Sequence, residues 1–242
     1  MTSAPLSPTT GDAGIGPVQD LRAVRRRGLS VGLATGLYGL SFGALATAAG
    51  LDLWQAMVLS AVLFSGGSQF ALVGVLGSGG SALGAALASI LLGIRNTLYG
   101  FVLAPDLPRG GWRGLLRAHL TIDESAANAA SGTDQPSREA GFWSAGIGVW
   151  VFWNLFTLFG ALAGRTISDP GAWGLDAAAA AAFLGLLWPR LRQAEAVAIA
   201  VGAAFVALLT TPVLPPGLPV LAAALVALAV GVMPRRAKEV SR

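Results

Sequence analysis

The sequence predicts an all-α integral membrane protein of six to seven transmembrane segments, one of them discontinuous or re-entrant at Gly66-Gly67. Three observations predict it. Of 242 residues, 54% are hydrophobic and only 12% are charged, with a mean hydropathy of +0.67. That charged share is about half that of a soluble domain. Seven apolar stretches approach the roughly 20 residues that carry a helix across a bilayer. One of them, Trp54–Leu76, is interrupted midway by Phe64-Ser65-Gly66-Gly67-Ser68-Gln69-Phe70. Adjacent glycines break a helix, and non-helical backbone at membrane depth survives only where protein buries it or where it lines a cavity. The break is therefore a candidate binding site, because discontinuous helices near the midplane are a recurring way for transporters to hold small solutes.

The elements follow in order. Residues 1–28 read as a polar cytoplasmic tail without the apolar core of a signal peptide, ending in Arg22, Arg25, Arg26 and Arg27. The first span, Leu29–Ala49, carries Gly32, Gly36, Gly39 and Gly43 along one helical face. Small residues in this pattern let another helix approach closely, so the face serves either packing within the chain or a partner subunit. After Trp54–Leu76, the third span is Gly80–Leu103. The connection 104–140 reads as a cytoplasmic loop, in which Arg109, Arg113 and Arg117 recur opposite Trp112, Leu115, Leu116 and His119 as an interfacial amphipathic helix. Four more spans are expected at Gly141–Gly164, Trp173–Trp188, Ala194–Thr211 and Leu218–Met233. Residues 29–233 thus form one polytopic domain, and 234–242 a basic tail with Arg235, Arg236 and Lys238.

Charge placement raises a question of parity. The N-terminal arginines, the Arg109/Arg113/Arg117/Arg138 loop, the Arg190/Arg192 turn and the basic tail all read as cytoplasmic. Three complete crossings cannot begin and end on one face. Either the segment with the glycine pair enters and leaves on one side, or all seven segments cross and one basic cluster lies on the far face.

Arg95 is the one ionisable residue deep within an expected span, about 12 Å from its end at Leu103. A charge at that depth costs at least ~2.5 kcal/mol and usually faces a cavity or an ion partner. The alternative is a structural brace that snorkels to the interface. Asn96 follows it directly. Asp123-Glu124 and His119 form a second polar group in the loop, read either as solvated surface or as a coupling or gating site. With no cysteine and one histidine there is no thiolate or histidine metal centre, no cofactor is implied, and the arginines read as topology rather than as a nucleic-acid footprint.

Phe64-Ser65-Gly66-Gly67-Ser68-Gln69, then Gly93-Ile94-Arg95-Asn96, then His119-Leu120-Thr121-Ile122-Asp123-Glu124 resemble, in that order, motifs of the AzlC family of branched-chain amino-acid exporters. The resemblance covers about residues 29–233. It implies the large subunit of an ion-gradient-driven exporter of leucine, isoleucine, valine and, in some members, methionine, working with a small AzlD-type membrane subunit. It also implies a multi-pass protein of the bacterial inner membrane with both termini cytoplasmic. No Walker A pattern is present, so ATP coupling is not supported. The alanine-rich stretch after Glu124 departs from the bulkier residues expected there.

On this reading Ser65, Gly66, Gly67, Ser68, Gln69, Arg95 and Asn96 bind substrate, and Asp123, Glu124 and His119 couple or gate. A half-helix starting near Ser68-Gln69 would offer free N–H groups and its dipole to an α-carboxylate. Carbonyls around Val62–Phe64 would accept from the α-ammonium. Three other classes remain: a pore constricted at Gly66-Gly67, a membrane-embedded enzyme using Asp123, Glu124 and His119, and a structural subunit.

Overall fold

A computed structural model describes residues 19–105, 110–166, 184–185, 187–188, 191–215 and 217–232. Most of the expected Trp173–Trp188 span, together with Arg109, Arg190 and the basic tail, lies outside the described residues. The main elements are helices: α1 (Leu21–Gly36), α2 (Tyr38–Ala48), α3 (Leu53–Val62), α4 (Gly66–Gly77), α5 (Ala82–Leu103), α6 (Gly111–Leu120), α7 (Asp123–Ala130), α8 (Gln135–Thr166), α9 (Ala194–Thr210) and α10 (Leu218–Val232). No strand occurs among the described residues.

Among the described residues, three helical rods are long and apolar enough to cross a membrane: α1 with α2 as one run of 28 residues, α5 with 22, and α8 with 32. The first begins at Leu21, inside the expected tail, because Asp20 caps it by accepting from the Arg22 amide at 2.9 Å. Its arginines therefore ride on helix.

The α1–α2 rod and α8 run parallel along a seam of glycines. Gly28 meets Ser144, Gly32 meets Gly148, Gly36 meets Phe152, Gly39 meets Trp153, and Gly43 meets Thr157 and Ala161. From the other side Gly160 meets Leu40 and Gly164 meets Ala44 and Thr47. A Cβ at these positions would strike backbone or a packed side chain. The lipid-bathed rods gain nothing from excluding water between them, so close backbone packing is what holds them together. The glycine face is thus filled from within the chain, and a partner subunit has no access to it.

The segment after α2 folds back on itself. From the turn at Ala49, α3 runs inward, the chain reverses at Leu63–Ser65, and α4 returns until a Cβ at Gly77 would lie 3.5 Å from that of Ala49. The reversal precedes the glycine pair. Ser65 is extended (φ −158°, ψ 97°), whereas Gly66 and Gly67 are the first residues of α4 and do not have positive φ.

A second hairpin replaces the expected surface loop. In α6, Arg117 lies over the Trp143 ring and Leu120 packs on Gly146; after the reversal at Thr121-Ile122, α7 descends so that Asn128 packs on Gly141. Its end is tied to the start of α1, where Arg27 donates to Asn128 (3.3 Å) and to Ser131. Arg117 is buried while Arg113, Trp112 and Leu115 are exposed, so one arginine of α6 is sheltered against the bundle and the other stays outside. At the foot of α8, the Ser137 hydroxyl and amide beside Asp134 hold that carboxyl below the usual carboxylate range.

The two hairpins enter from opposite ends of the rods, and their reversals meet at mid-height. Phe42, Phe70 and Trp153 pack between them, with Phe42 stacked on Trp153 at 6.2 Å and Phe70 edge-on to both. Helices α9 and α10 pair with each other, and Gly217 touches Val75 and Gly84 beside them.

Candidate functional site

The broken backbone of the first hairpin is repaired by side chains. Gln69, fully buried, donates from Nε2 to the carbonyls of Leu59 (3.3 Å) and Ser60 (3.1 Å), and Trp150 donates to that of Ala61 (3.2 Å). Three carbonyls at the end of α3 are therefore satisfied, in line with the cost of an unpaired carbonyl in a low-dielectric interior. The start of α4 is treated differently. The Ser65 hydroxyl donates to that of Ser68 at 3.1 Å, and no side chain caps the first amides of the helix. Those amides, with the positive end of the helix dipole, are left for another acceptor.

The second hairpin places α7 with its N-terminus at the same height. Ser125 closes the turn, accepting from the Ile122 amide at 3.0 Å and donating to the Leu120 carbonyl at 2.6 Å. Asp123 and Glu124 occupy the first turn, so this dipole end is already balanced by the helix's own carboxylates.

Between the two lies a cavity of about 380 Å³, inside the ~300–1,000 Å³ range of small-molecule sites. It is lined by Ser65, Gly66, Gly67, Arg95, Asn96, Asp123 and Glu124, by Thr35 and Tyr38 from the first rod, by Val149 and Trp153 from α8, and by Phe64, Leu92, Ile122 and Leu187. Arg95 Nη1 pairs with Asp123 Oδ2 at 3.0 Å, across 28 residues of sequence. The other arm of its guanidinium faces Gly67, where a Cβ would lie 3.0 Å from Nη2. At Gly66 a Cβ would lie 3.0 Å from the edge of the Trp153 ring. Both glycines thus make room for side chains rather than for an unusual backbone. Thr35 donates to Glu124 at 3.5 Å, and Asn96 Oδ1 and Arg95 Nε are buried without partners.

Of the residues expected to act together, Ser65, Gly66, Gly67, Arg95, Asn96, Asp123 and Glu124 line one cavity. Ser68 and Gln69 do not; they hold the break in shape. His119 stands outside the lining with its ring 5.7 Å from that of Phe64, so it links the two hairpins. The carbonyls of Leu59, Ser60 and Ala61, close to those expected to meet an ammonium, are already taken. Thr35, Tyr38 and Trp153 were not expected. For Trp153 a signal exists: it sits mid-way along α8, where an interfacial tryptophan has no place. No cluster of three or more potential metal ligands occurs among the described residues.

The family model described as AzlC protein matches residues 30–167. These include both hairpins, α8, most of the α1–α2 rod and every polar residue that lines the cavity. Two membrane proteins from Helicobacter pylori, each described as uncharacterized, are similar: 26% identical over 142 residues in strain 26695 and 28% over 99 residues in strain J99. The matched parts are 58% and 41% of this chain and 62% and 43% of those relatives. The chain thus spans less than two thirds of the length of either. No solved structure matches.

Proposed function

Because the chain belongs to the AzlC family, a membrane protein family with a transport-related role, we propose that it exports branched-chain amino acids as the large subunit of a two-component, ion-gradient-driven carrier. The observation that carries the reading is the asymmetry of the cavity. Its α4 end offers uncapped amides and Arg95, and its α7 end offers Asp123 and Glu124. A zwitterion fits this polarity, with its carboxylate at Gly66-Gly67 and Arg95 and its ammonium at the acidic pair. Phe64, Leu92, Val149 and Trp153 supply the apolar wall for an aliphatic side chain. Such a wall separates leucine from valine by only ~1–3 kcal/mol per methylene, which suits a carrier of several related substrates.

On the same reading the α3–α4 and α6–α7 hairpins are re-entrant from opposite faces of the inner membrane. The N-terminus, the base of α6–α7 and Arg138 then share the cytoplasmic side. That arrangement meets the positive-inside bias without stranding a basic cluster. A small AzlD-type subunit would complete the carrier.

Counterflow in proteoliposomes holding both subunits tests the function. Excess leucine inside should accelerate uptake of labelled leucine, and a pore would show no such stimulation. Absence of counterflow for leucine, isoleucine and valine alike would refute the proposal.

A further inference from the structure

Asp123 lines two cavities. Besides the central one, it borders a second pocket of about 370 Å³ that continues along α7 between Tyr99 and Val102 of α5 and Ala126, Ala127 and Ala130 of α7. Its far end lies at Ala130, next to Ser131, which bonds Arg27 at the N-terminal edge of the rods. From Asp123 to Ala130 is about 10 Å along the helix. The pocket exists because α7 carries alanine at positions where longer apolar side chains would fill it. The Arg95–Asp123 pair stands where the two cavities meet, with 34% and 24% of the side-chain surfaces exposed.

We propose that this ion pair is the inner gate of the permeation path and that the alanine-lined pocket is its vestibule on the N-terminal face. The proposal rests on the carrier reading and adds how substrate passes. Pulling the pair apart inside the protein costs both charges their mutual contact, which holds it closed. A zwitterion replaces one ion pair by two, its carboxylate on Arg95 and its ammonium on Asp123. A lone cation offers no new partner to Arg95, and a lone anion offers none to Asp123. The gate therefore opens for α-amino acids and stays shut to their amides and 2-oxo acids.

Native cysteine is absent, so single thiols can report both compartments. The full-length chain is placed in membrane vesicles that present the N-terminal face, and an impermeant methanethiosulfonate reagent is added. Ala127→Cys, in the vestibule, should label promptly whether or not the pair is intact. Thr35→Cys, in the central cavity, should label slowly, and about tenfold faster once Asp123→Asn breaks the pair, a change equivalent to ~1.4 kcal/mol in the gate equilibrium. Arg95→Gln provides a second way to break it should Asp123→Asn fail to insert. Reversing the pair with Arg95→Asp and Asp123→Arg should restore slow labelling. Leucine should speed labelling of Thr35→Cys in the native background, while leucinamide and 4-methyl-2-oxopentanoate should not.

An unlabelled Ala127→Cys would show the pocket to be filled with lipid. A Thr35→Cys rate indifferent to both broken-pair variants, or a reversed pair as leaky as a broken one, would show that the pair seals nothing. Any of these overturns the gate. Labelling in the absence of substrate needs no transport, so the gate can fail while leucine export stands, and leucine export can fail while the gate stands.

Discussion

Removing Arg95 leaves Asp123 and Glu124 in one cavity with no cation between them, and the structure allows the consequence to be sized. The pair closes at 3.0 Å. Two unit charges about 4 Å apart attract by about 4 kcal/mol at an effective dielectric near 20. Desolvation offsets part of that, and the partial exposure of both groups to the cavity screens more. A coupling of about 2 kcal/mol remains as the expected value. Arg95→Ala alone should therefore destabilise by about 2 kcal/mol, less than breaking a fully buried pair because both groups keep access to the cavity. Asp123→Ala alone should cost less, since Glu124 remains near the guanidinium. The double variant should be more stable than the sum of the two predicts, by that coupling. The assay is reversible unfolding of the purified chain in mixed micelles, with the four proteins compared as a thermodynamic cycle. Additivity within about 0.5 kcal/mol would refute the reasoning, because it would mean that the charges do not sense one another. In efflux assays Arg95→Lys should keep partial activity, since it retains the charge but loses the planar fork that reaches Asp123 with one arm and Gly67 with the other.

Further predictions concern the break and the hairpins. Gln69→Leu should destabilise by about 1–3 kcal/mol, measured by thermal unfolding, because the Ser60 carbonyl loses its donor and the Leu59 carbonyl keeps only the Leu63 amide; unchanged stability would mean water or a backbone shift replaces the amide. Gly67→Ala should cut leucine efflux with little loss of protein from the membrane, since it displaces a flexible guanidinium, whereas Gly66→Ala meets a packed ring and should lower stability by about 1–3 kcal/mol; equal effects of the two on stability would contradict the geometry. Cysteines placed at exposed Arg22 and Thr133 should label from one side of the membrane and one at exposed Ser78 from the other. Labelling of all three from one side would refute the opposed hairpins.

The break was legible because a glycine pair flanked by serine and glutamine has no other reason to stand in an apolar stretch. Its location was misread by about a turn. Glycine's freedom suggested that Gly66 and Gly67 bend the chain, whereas Ser65 does so with a backbone conformation open to any residue, and the glycines answer to Trp153 and Arg95. The face of Gly32, Gly36, Gly39 and Gly43 was equally plain, but the helix that fills it begins more than 100 residues later, and periodicity names no partner. The second hairpin was hidden by its own composition. Arg113 and Arg117 opposite Trp112 and Leu115 look like a helix lying on a membrane surface, and only tertiary contact reveals that Arg117 is sheltered by the Trp143 ring. The acidic pair and Arg95 could each be singled out from sequence; that they meet could not, because their contact depends on two chain reversals at once.

The glycine seam has a consequence for how the protein is made. Its first half is complete at Ala48 and its second only at Thr166, so about 118 residues must be synthesised before the two can touch. At ~5–20 residues per second that is roughly 6–24 s. For that interval the first rod sits in the bilayer with a bare strip of backbone, and the Ala61 carbonyl waits for Trp150. Biogenesis thus has a late commitment step: lipid or insertion machinery must occupy the strip and then yield it, and a chain truncated before α8 has no means of closing it.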